Sequence, residues 1–199
     1  MNSPGNARRP FGFAIFLVIA GVVGWIAAFA LTVEKFALLQ SPDTVLSCDV
    51  SVLLQCSANL ESWQGSLLGF PNPLLGLTGW VAPIVVGAAL VAGARFDRWF
   101  WLLFQLGVTA ALVLVVWLIT ESIFVLGTLC PWCMVTWAVT IPVFWAVTLR
   151  NVADGAVPAP AAVQRGARAL SGWIVLITLS CYILIAVVAQ LRLDVLGTL

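Results

Sequence analysis

Five long runs of apolar residues, separated by shorter polar segments, dominate the chain. Each run has about twenty residues or more. At about 1.5 Å per residue, a helix of that length crosses a hydrocarbon core of about 30 Å. The predicted spans are 11–33, 74–92, 99–124, 131–149 and 172–191. The pattern predicts an all-α integral membrane protein in which residues 1–199 form a single membrane domain.

The longest polar segment, 34–73, separates the first two spans. Within it, Leu60, Trp63 and Leu67 recur at near-helical spacing, which predicts a short helix lying on the membrane surface. Before the fifth span, residues 151–169 contain Pro, Ala and Gly and are predicted to be a linker.

The first apolar run has a second interpretation as a cleaved signal peptide. Ala28-Phe29-Ala30 resembles the small-residue site at which such peptides are cut. The run is longer than the apolar region of about 7–15 residues that a signal peptide carries, which favours a retained helix.

Composition agrees with a lipid environment. Hydrophobic residues make up 62% of the chain and charged residues 9%, whereas soluble domains carry about 45–50% and about 25%. The chain contains no histidine. His-ligated haem, His-based zinc or copper sites and Ser-His or Cys-His catalytic arrangements are therefore excluded.

The charges predict the orientation of the spans. With five spans, the connecting segments alternate between the two sides of the membrane. One side then carries seven of the nine basic residues: Arg8, Arg9, Arg95, Arg98, Arg150, Arg165 and Arg168. The positive-inside rule then places the N-terminus in the cytoplasm, and the 34–73 loop and the C-terminus outside. We expect a multi-pass protein of a bacterial inner membrane, with its cysteine pairs on the oxidising side, where disulfides persist.

Four of the five cysteines fall into two pairs on that outer side. Cys130-Pro131-Trp132-Cys133 is a C-x-x-C motif that opens the fourth span. Proline suits the first turn of a helix, and the helix dipole lowers the pKa of a cysteine at that end. Cys48 and Cys56 lie in the 34–73 loop.

Three interpretations of these cysteines are open. They could be structural disulfides, although a two-residue spacer closes almost no loop and gains little as a clip. They could bind zinc, although seven residues between Cys48 and Cys56 is a wide spacing for a zinc site. They could also form a relay, in which the outer pair exchanges disulfides with a soluble partner and the C-x-x-C pair passes electrons to an acceptor in the lipid. A quinone fits such an acceptor because it resides in the bilayer, so no metal is expected.

Three further residues have two interpretations each. Cys181, alone in the fifth span, fits structural packing better than chemistry. Glu121 could handle protons, but a carboxylate reaching toward water at the end of the third span is favoured. Asn72 could donate a hydrogen bond to a quinone carbonyl or cap the second helix.

Taken together, these residues resemble the vitamin K epoxide reductase family. The resemblance rests on Cys48-Asp49-Val50, the seven-residue spacing to Cys56, Ser62, Asn72 before a span, and C-x-x-C opening a later span. It implies a four-helix bundle around a quinone pocket, with a fifth transmembrane helix as in bacterial members. It also implies that disulfide-bond formation is the protein's task.

The same resemblance implies roles for single residues. Cys48 would exchange with the partner, Cys56 would pass electrons to Cys130, and Cys133 would react with a menaquinone or ubiquinone. Ser62 and Asn72 match a loop serine and a quinone-contacting asparagine of the family, so Ser62, Asn72 and Trp137 are the expected quinone-binding residues. Animal members carry a tyrosine at the position of Trp137, so plain quinone is the expected substrate rather than the epoxide.

Many bacterial relatives carry a fused thioredoxin-like domain after the fifth span, where this sequence stops at Leu199. We therefore expect a separate, DsbA-like partner of thioredoxin fold on the outer side, and no nucleic acid. The DsbB type of thiol oxidase has its C-x-x-C pair first, which is the reverse of the order here. The alternative from another class is a non-catalytic membrane protein with structural disulfides or a thiolate metal site.

Overall fold

The computed structural model describes residues 11–198, with the side chain of Thr198 excluded. Arg8 and Arg9, which entered the predicted orientation, lie outside the described residues, as does Leu199. Over the described part, the regular structure is helical, with one isolated bridge between Leu54 and Leu129. The all-α prediction is confirmed.

The described chain contains nine α-helices and two short helical turns of other types. The helices are α1 Phe11–Gln40, α2 Ser57–Glu61, α3 Pro73–Gly79, α4 Val81–Val91, α5 Arg98–Glu121, α6 Pro131–Ala153, α7 Ala161–Ser171, α8 Ile174–Leu193 and α9 Val195–Thr198. A 3₁₀ turn covers Trp63–Ser66 and a π turn covers Ser122–Leu126.

Five helical segments are long and apolar enough to cross a membrane, which agrees with the predicted fold class. They are Phe11–Gln40, Pro73–Val91, Arg98–Leu126, Pro131–Ala153 and Ile174–Leu193. The first continues seven residues past the predicted end at Val33, so the start of the predicted loop is helical. The second is interrupted at Trp80, three residues before Pro83, whose missing N–H is tolerated in the first turn of α4.

Two predictions about the connecting segments need correction. The predicted surface helix is split: α2 ends at Glu61, Ser62 is extended, and a 3₁₀ turn follows. The predicted linker is largely helical, because α6 runs to Ala153 and α7 occupies Ala161–Ser171. Ala167 of α7 is buried against α6, and the Arg168 guanidinium donates to the carbonyl of Ala153.

Helix α1 lies at the centre of the bundle, packing against α3 and α4 on one side and α6 on the other. Close approach depends on small residues, as it does in many membrane bundles. A Cβ at Gly24 would collide with the Trp80 ring, and one at Gly87 would collide with the α1 backbone at Ala14. Helix α5 packs on α6, and α8 packs against α6 at the edge of the bundle.

The contact between α6 and α8 follows from a proline. Pro142 lies inside α6 and has no N–H to give to the carbonyl of Ala138, four residues earlier. The hydroxyl of Tyr182 in α8 donates to that carbonyl instead. The chain's single tyrosine therefore satisfies a backbone group that the proline leaves without a helical partner.

Candidate redox site

The two cysteine pairs meet at one end of the bundle, which we call the cysteine end. Cys48 and Cys56 form a disulfide, and Cys130 and Cys133 are thiols. The Sγ atoms of Cys56 and Cys130 are 3.4 Å apart, although 73 residues lie between them in the chain. Three of these sulfurs therefore follow one another in space: Cys48, Cys56 and Cys130.

The C-terminal part of α1 builds one wall of this site. Leu31 and Leu38 of α1 pack in a buried cluster with Cys48, Cys56 and Cys130. The Lys35 ammonium donates to the carbonyl of Leu60 at 2.7 Å and so ties α1 to α2. At the same end, the hydroxyl of Ser47 donates to the carboxylate of Glu34.

A short backbone pairing sets the register between the two cysteine segments. The N–H of Leu129 donates to the carbonyl of Leu53 at 2.8 Å, and the N–H of Gln55 donates to the carbonyl of Leu129 at 3.1 Å. Gly127 precedes this pairing with φ +68°, a left-handed conformation that glycine adopts without strain. Because each paired segment ends directly before a cysteine, the pairing brings Cys56 to Cys130.

The side chain of Asp49 binds backbone N–H groups at the end of the disulfide loop. Its Oδ1 accepts from the N–H groups of Cys56, at 2.7 Å, and Ser57, at 3.1 Å, where α2 begins. Burial raises the pKa of this carboxyl, but the hydrogen bonds from Ser57 and Cys56 outweigh it, and the pKa lies below its usual value. A carboxylate at a helix N-terminus is also favoured by the helix dipole.

Cys130 is the N-cap residue of α6. Its Sγ accepts from the N–H of Cys133 at 3.3 Å. A hydrogen bond from the Cys133 side chain lowers the pKa of the Cys130 thiol; burial opposes this, and the N–H groups of Cys133 and Trp132 reinforce it. The lowered pKa favours the thiolate, as the sequence predicts for a helix N-terminus.

The disulfide is enclosed. Cys48 is 5% exposed and Cys56 0%, whereas Cys133 is partly exposed. The exposed side chains of this loop include valines: Val45 is 79% exposed and Val52 92%. A partner thiol that reaches Cys48 must therefore displace part of the loop. The relay interpretation, in which this pair exchanges disulfides with a soluble partner, therefore requires the loop to move.

A large cavity reaches Cys133 from the other side. It has a volume of about 900 Å³ and lies between α3–α4 and α5, with α1 and α6 behind it. Most of its wall is apolar, including Trp137, which is buried, and Leu103, which is 57% exposed. Exposed wall residues on both α4 and α5 open the cavity toward the surface that would face lipid.

The polar groups of the cavity gather at the cysteine end. Ser62 caps the 3₁₀ turn: its hydroxyl accepts from the N–H of Gly65 and donates to the carbonyl of Asn59. The Asn72 side chain donates to the carbonyl of Gln64 and accepts from the N–H of Leu67. The suggestion that Asn72 caps the second helix is wrong, because its side chain makes no cap hydrogen bond to α3.

One wall residue, Gln64, escaped the sequence analysis. It carries no signal in the sequence, yet it is 4% exposed and donates to Oε2 of Glu121 at 3.0 Å. Glu121, for which a carboxylate reaching toward water was favoured over proton handling, is partly exposed and lies on the cavity wall with Cys133. Cys181 lies in α8, outside this group of residues.

A comparison with protein-family models identifies a family. The model of the Vitamin K epoxide reductase family matches residues 15–148, which run from the first turns of α1 to most of α6 and include all four paired cysteines. No curated protein matches the chain.

Proposed function

The chain belongs to the vitamin K epoxide reductase family, and from that premise we propose that this membrane thiol oxidoreductase carries electrons from a thioredoxin-fold dithiol partner, through its two cysteine pairs, to a membrane quinone. The observation that supports this proposal best is the 3.4 Å separation between the sulfurs of Cys56 and Cys130. At that distance, disulfide exchange between the pairs requires little movement.

The first transfer is between the partner and the disulfide loop. A partner thiolate attacks Cys48, the Cys48–Cys56 bond breaks, and Cys56 leaves as a thiolate. The partner's second thiolate then attacks the partner sulfur that is bonded to Cys48. This step releases the oxidised partner and the reduced Cys48. Two electrons now reside on Cys48 and Cys56.

The second transfer is internal. The Cys56 thiolate attacks Cys130 of an oxidised Cys130–Cys133 pair, and Cys133 leaves as a thiolate beside the cavity. Cys48 then attacks Cys56, which re-forms their disulfide and releases Cys130. The lowered pKa of the Cys130 thiol makes it a good leaving group in that last step. The bonding state of the four cysteines in the structure matches the product of this transfer.

The cavity fits a quinone by size and chemistry. Ligand cavities typically span about 300–1,000 Å³, with apolar walls and a few polar groups. The polar end holds Ser62, Asn72 and Cys133, and the apolar remainder suits an isoprenoid tail. When bound, the quinone supplies a two-electron acceptor. Asn72 keeps a second amide hydrogen that can bind its ring oxygen, and Trp137 packs along the wall.

We assign the cysteine end to the extracytoplasmic side of a bacterial inner membrane. The support is the distribution of charge: described arginines of the opposite end include Arg95, Arg98 and Arg150. A membrane-impermeant maleimide applied to intact spheroplasts should label the cysteine of Val52→Cys, since Val52 is 92% exposed in the same loop. Labelling that requires inverted vesicles would reverse the orientation.

Quinone reduction by the purified protein in detergent tests the proposal directly. A reduced thioredoxin-fold protein or dithiothreitol supplies electrons, and menaquinone and ubiquinone are compared. We expect turnover that is lost in Cys133→Ser and, with the protein donor, in Cys48→Ser; Cys181→Ser should retain it. Turnover that survives Cys133→Ser, or a wild type that reduces neither quinone and keeps its disulfide under mild reductant, would favour a structural role for the cysteines.

A further inference from the structure

Among the described residues that line the cavity, Glu121 is the one whose side chain carries a charge. Its carboxylate lies at the last residue of α5, at the cysteine end. The Gln64 amide donates to Oε2 at 3.0 Å, and Gln64 itself is buried. The other carboxylate oxygen, Oε1, receives no hydrogen bond from Gln64.

Quinone reduction moves protons as well as electrons. Each turnover breaks two S–H bonds at Cys130 and Cys133, forms one S–S bond and adds a hydrogen to each quinone oxygen. Because Cys133 reacts as a thiolate, its proton must leave before a quinone oxygen gains one. A group that holds a proton at the cavity during this interval therefore assists the reaction.

Glu121 meets the two requirements for that task. It lies at the cysteine end of the cavity, whose wall also includes Cys133. It is also partly exposed at the end of its helix, so it can exchange protons with water. Gln64 holds the carboxylate in place without being able to take its proton, because an amide is not basic at neutral pH.

We propose that Glu121 is the proton donor to the quinone oxygen, with Gln64 as its positioning residue. The carboxylate accepts the proton that leaves the dithiol and then gives it to the oxygen, so it is unchanged after each turnover. This proposal rests on the proposed function, since it requires quinone to be the acceptor.

Two substitutions separate proton transfer from a structural contact. Glu121→Gln keeps an oxygen that can accept from Gln64 but removes the acid. Gln64→Leu removes the hydrogen bond but keeps the acid. Proton donation by side chains contributes about 100-fold or more to rates, so we expect Glu121→Gln to lower kcat for quinone reduction about 100-fold with an unchanged KM. Gln64→Leu should lower it much less, and Glu61→Gln, an exposed glutamate on α2, should not lower it.

The opposite order, with Gln64→Leu severely impaired and Glu121→Gln close to wild type, would overturn the proposal. A wild type that reduces no quinone would instead refute the proposed function. Redox-difference infrared spectra give a readout other than activity: reduction of the cysteines should change a carboxyl C=O band that Glu121→Asp shifts. If Glu121→Gln does not fold, that shift decides, and a spectrum without it would overturn the proposal.

Discussion

At the scale of single residues, side chains at the cysteine end mostly hold backbone groups. Asp49 accepts from two N–H groups, Ser62 and Asn72 fasten the 3₁₀ turn, and Cys130 accepts at the start of α6. The chain here has little regular secondary structure, so such contacts replace helical hydrogen bonds. Apart from Cys130, these residues carry no redox chemistry, yet their hydrogen bonds help to hold the sulfurs in position.

Asp49 gives the clearest residue-scale prediction. Its folded pKa lies below the ordinary value of 3.8, so its stabilisation is present above about that pH and is lost as the pH falls through the folded value. Asp49→Asn keeps an oxygen that can accept these hydrogen bonds but removes its charge, and hydrogen bonds to charged groups are stronger than neutral ones, so it should destabilise the loop by about 1 kcal/mol at neutral pH. It should also remove most of this acid dependence.

The measurement is the rate at which the Cys48–Cys56 disulfide is opened by a phosphine reductant, from about pH 3 to 7. Asp43→Asn is the matched control, since Asp43 is exposed in the same loop. Identical pH profiles for Asp49→Asn and wild type would show that the carboxylate does not hold the loop.

At the scale of helices, proline and tyrosine form a matched pair across α6 and α8. Tyr182→Phe leaves the carbonyl of Ala138 without its donor, and interhelical hydrogen bonds in membranes are worth about 0.6 kcal/mol on average. We expect a small fall in thermal stability and faster proteolysis at the ends of α8.

A double-mutant cycle checks the cause. Pro142→Ala restores an N–H that can bond the carbonyl of Ala138, so Tyr182→Phe should cost less stability in that background. Equal costs in both backgrounds would mean that the tyrosine acts by packing alone.

Element-scale features differed in how well the sequence predicted them. The long spans follow from apolar length alone, which is a local property. Helix α7 was missed because the Pro, Ala and Gly content of 151–169 resembles that of a linker, whereas in the fold α6 supplies the surface that buries Ala167. The pairing of Leu53 and Gln55 with Leu129 and the contact of Gln64 with Glu121 join residues far apart in sequence, and no periodicity encodes them.

At the scale of the whole molecule, the cavity opens between α4 and α5, and we expect a quinone tail to pass through this opening. Gly107 lines this cavity, and a Cβ added there meets no atom within 4 Å. Gly107→Leu should therefore fold normally and occupy the space. We expect a KM at least about tenfold higher for long-tailed quinones, equivalent to about 1.4 kcal/mol of lost binding, and a smaller change for short-tailed ones.

Gly12→Leu is the control for helix propensity and added apolar bulk, because Gly12 also faces open space and lies outside the cavity wall. Steady-state kinetics with a short and a long isoprenoid tail give the comparison. An equal rise in KM for both tails would mean that the tail does not pass Gly107.

The burial of Cys56 and Cys130, each 0% exposed, determines which molecules can react with their sulfurs. A contact through which two cysteine pairs exchange disulfides must be shielded from small thiols and oxidants, which would otherwise react with its sulfurs. Leu31, Leu38 and Leu60 enclose the contact between the two pairs. Under the proposed function, electrons then enter at Cys48 and leave at Cys133, and we expect small thiols not to reach the two sulfurs between them. Under the same proposal, we expect a protein partner that displaces part of the loop to reduce Cys48 faster than low-molecular-weight thiols do.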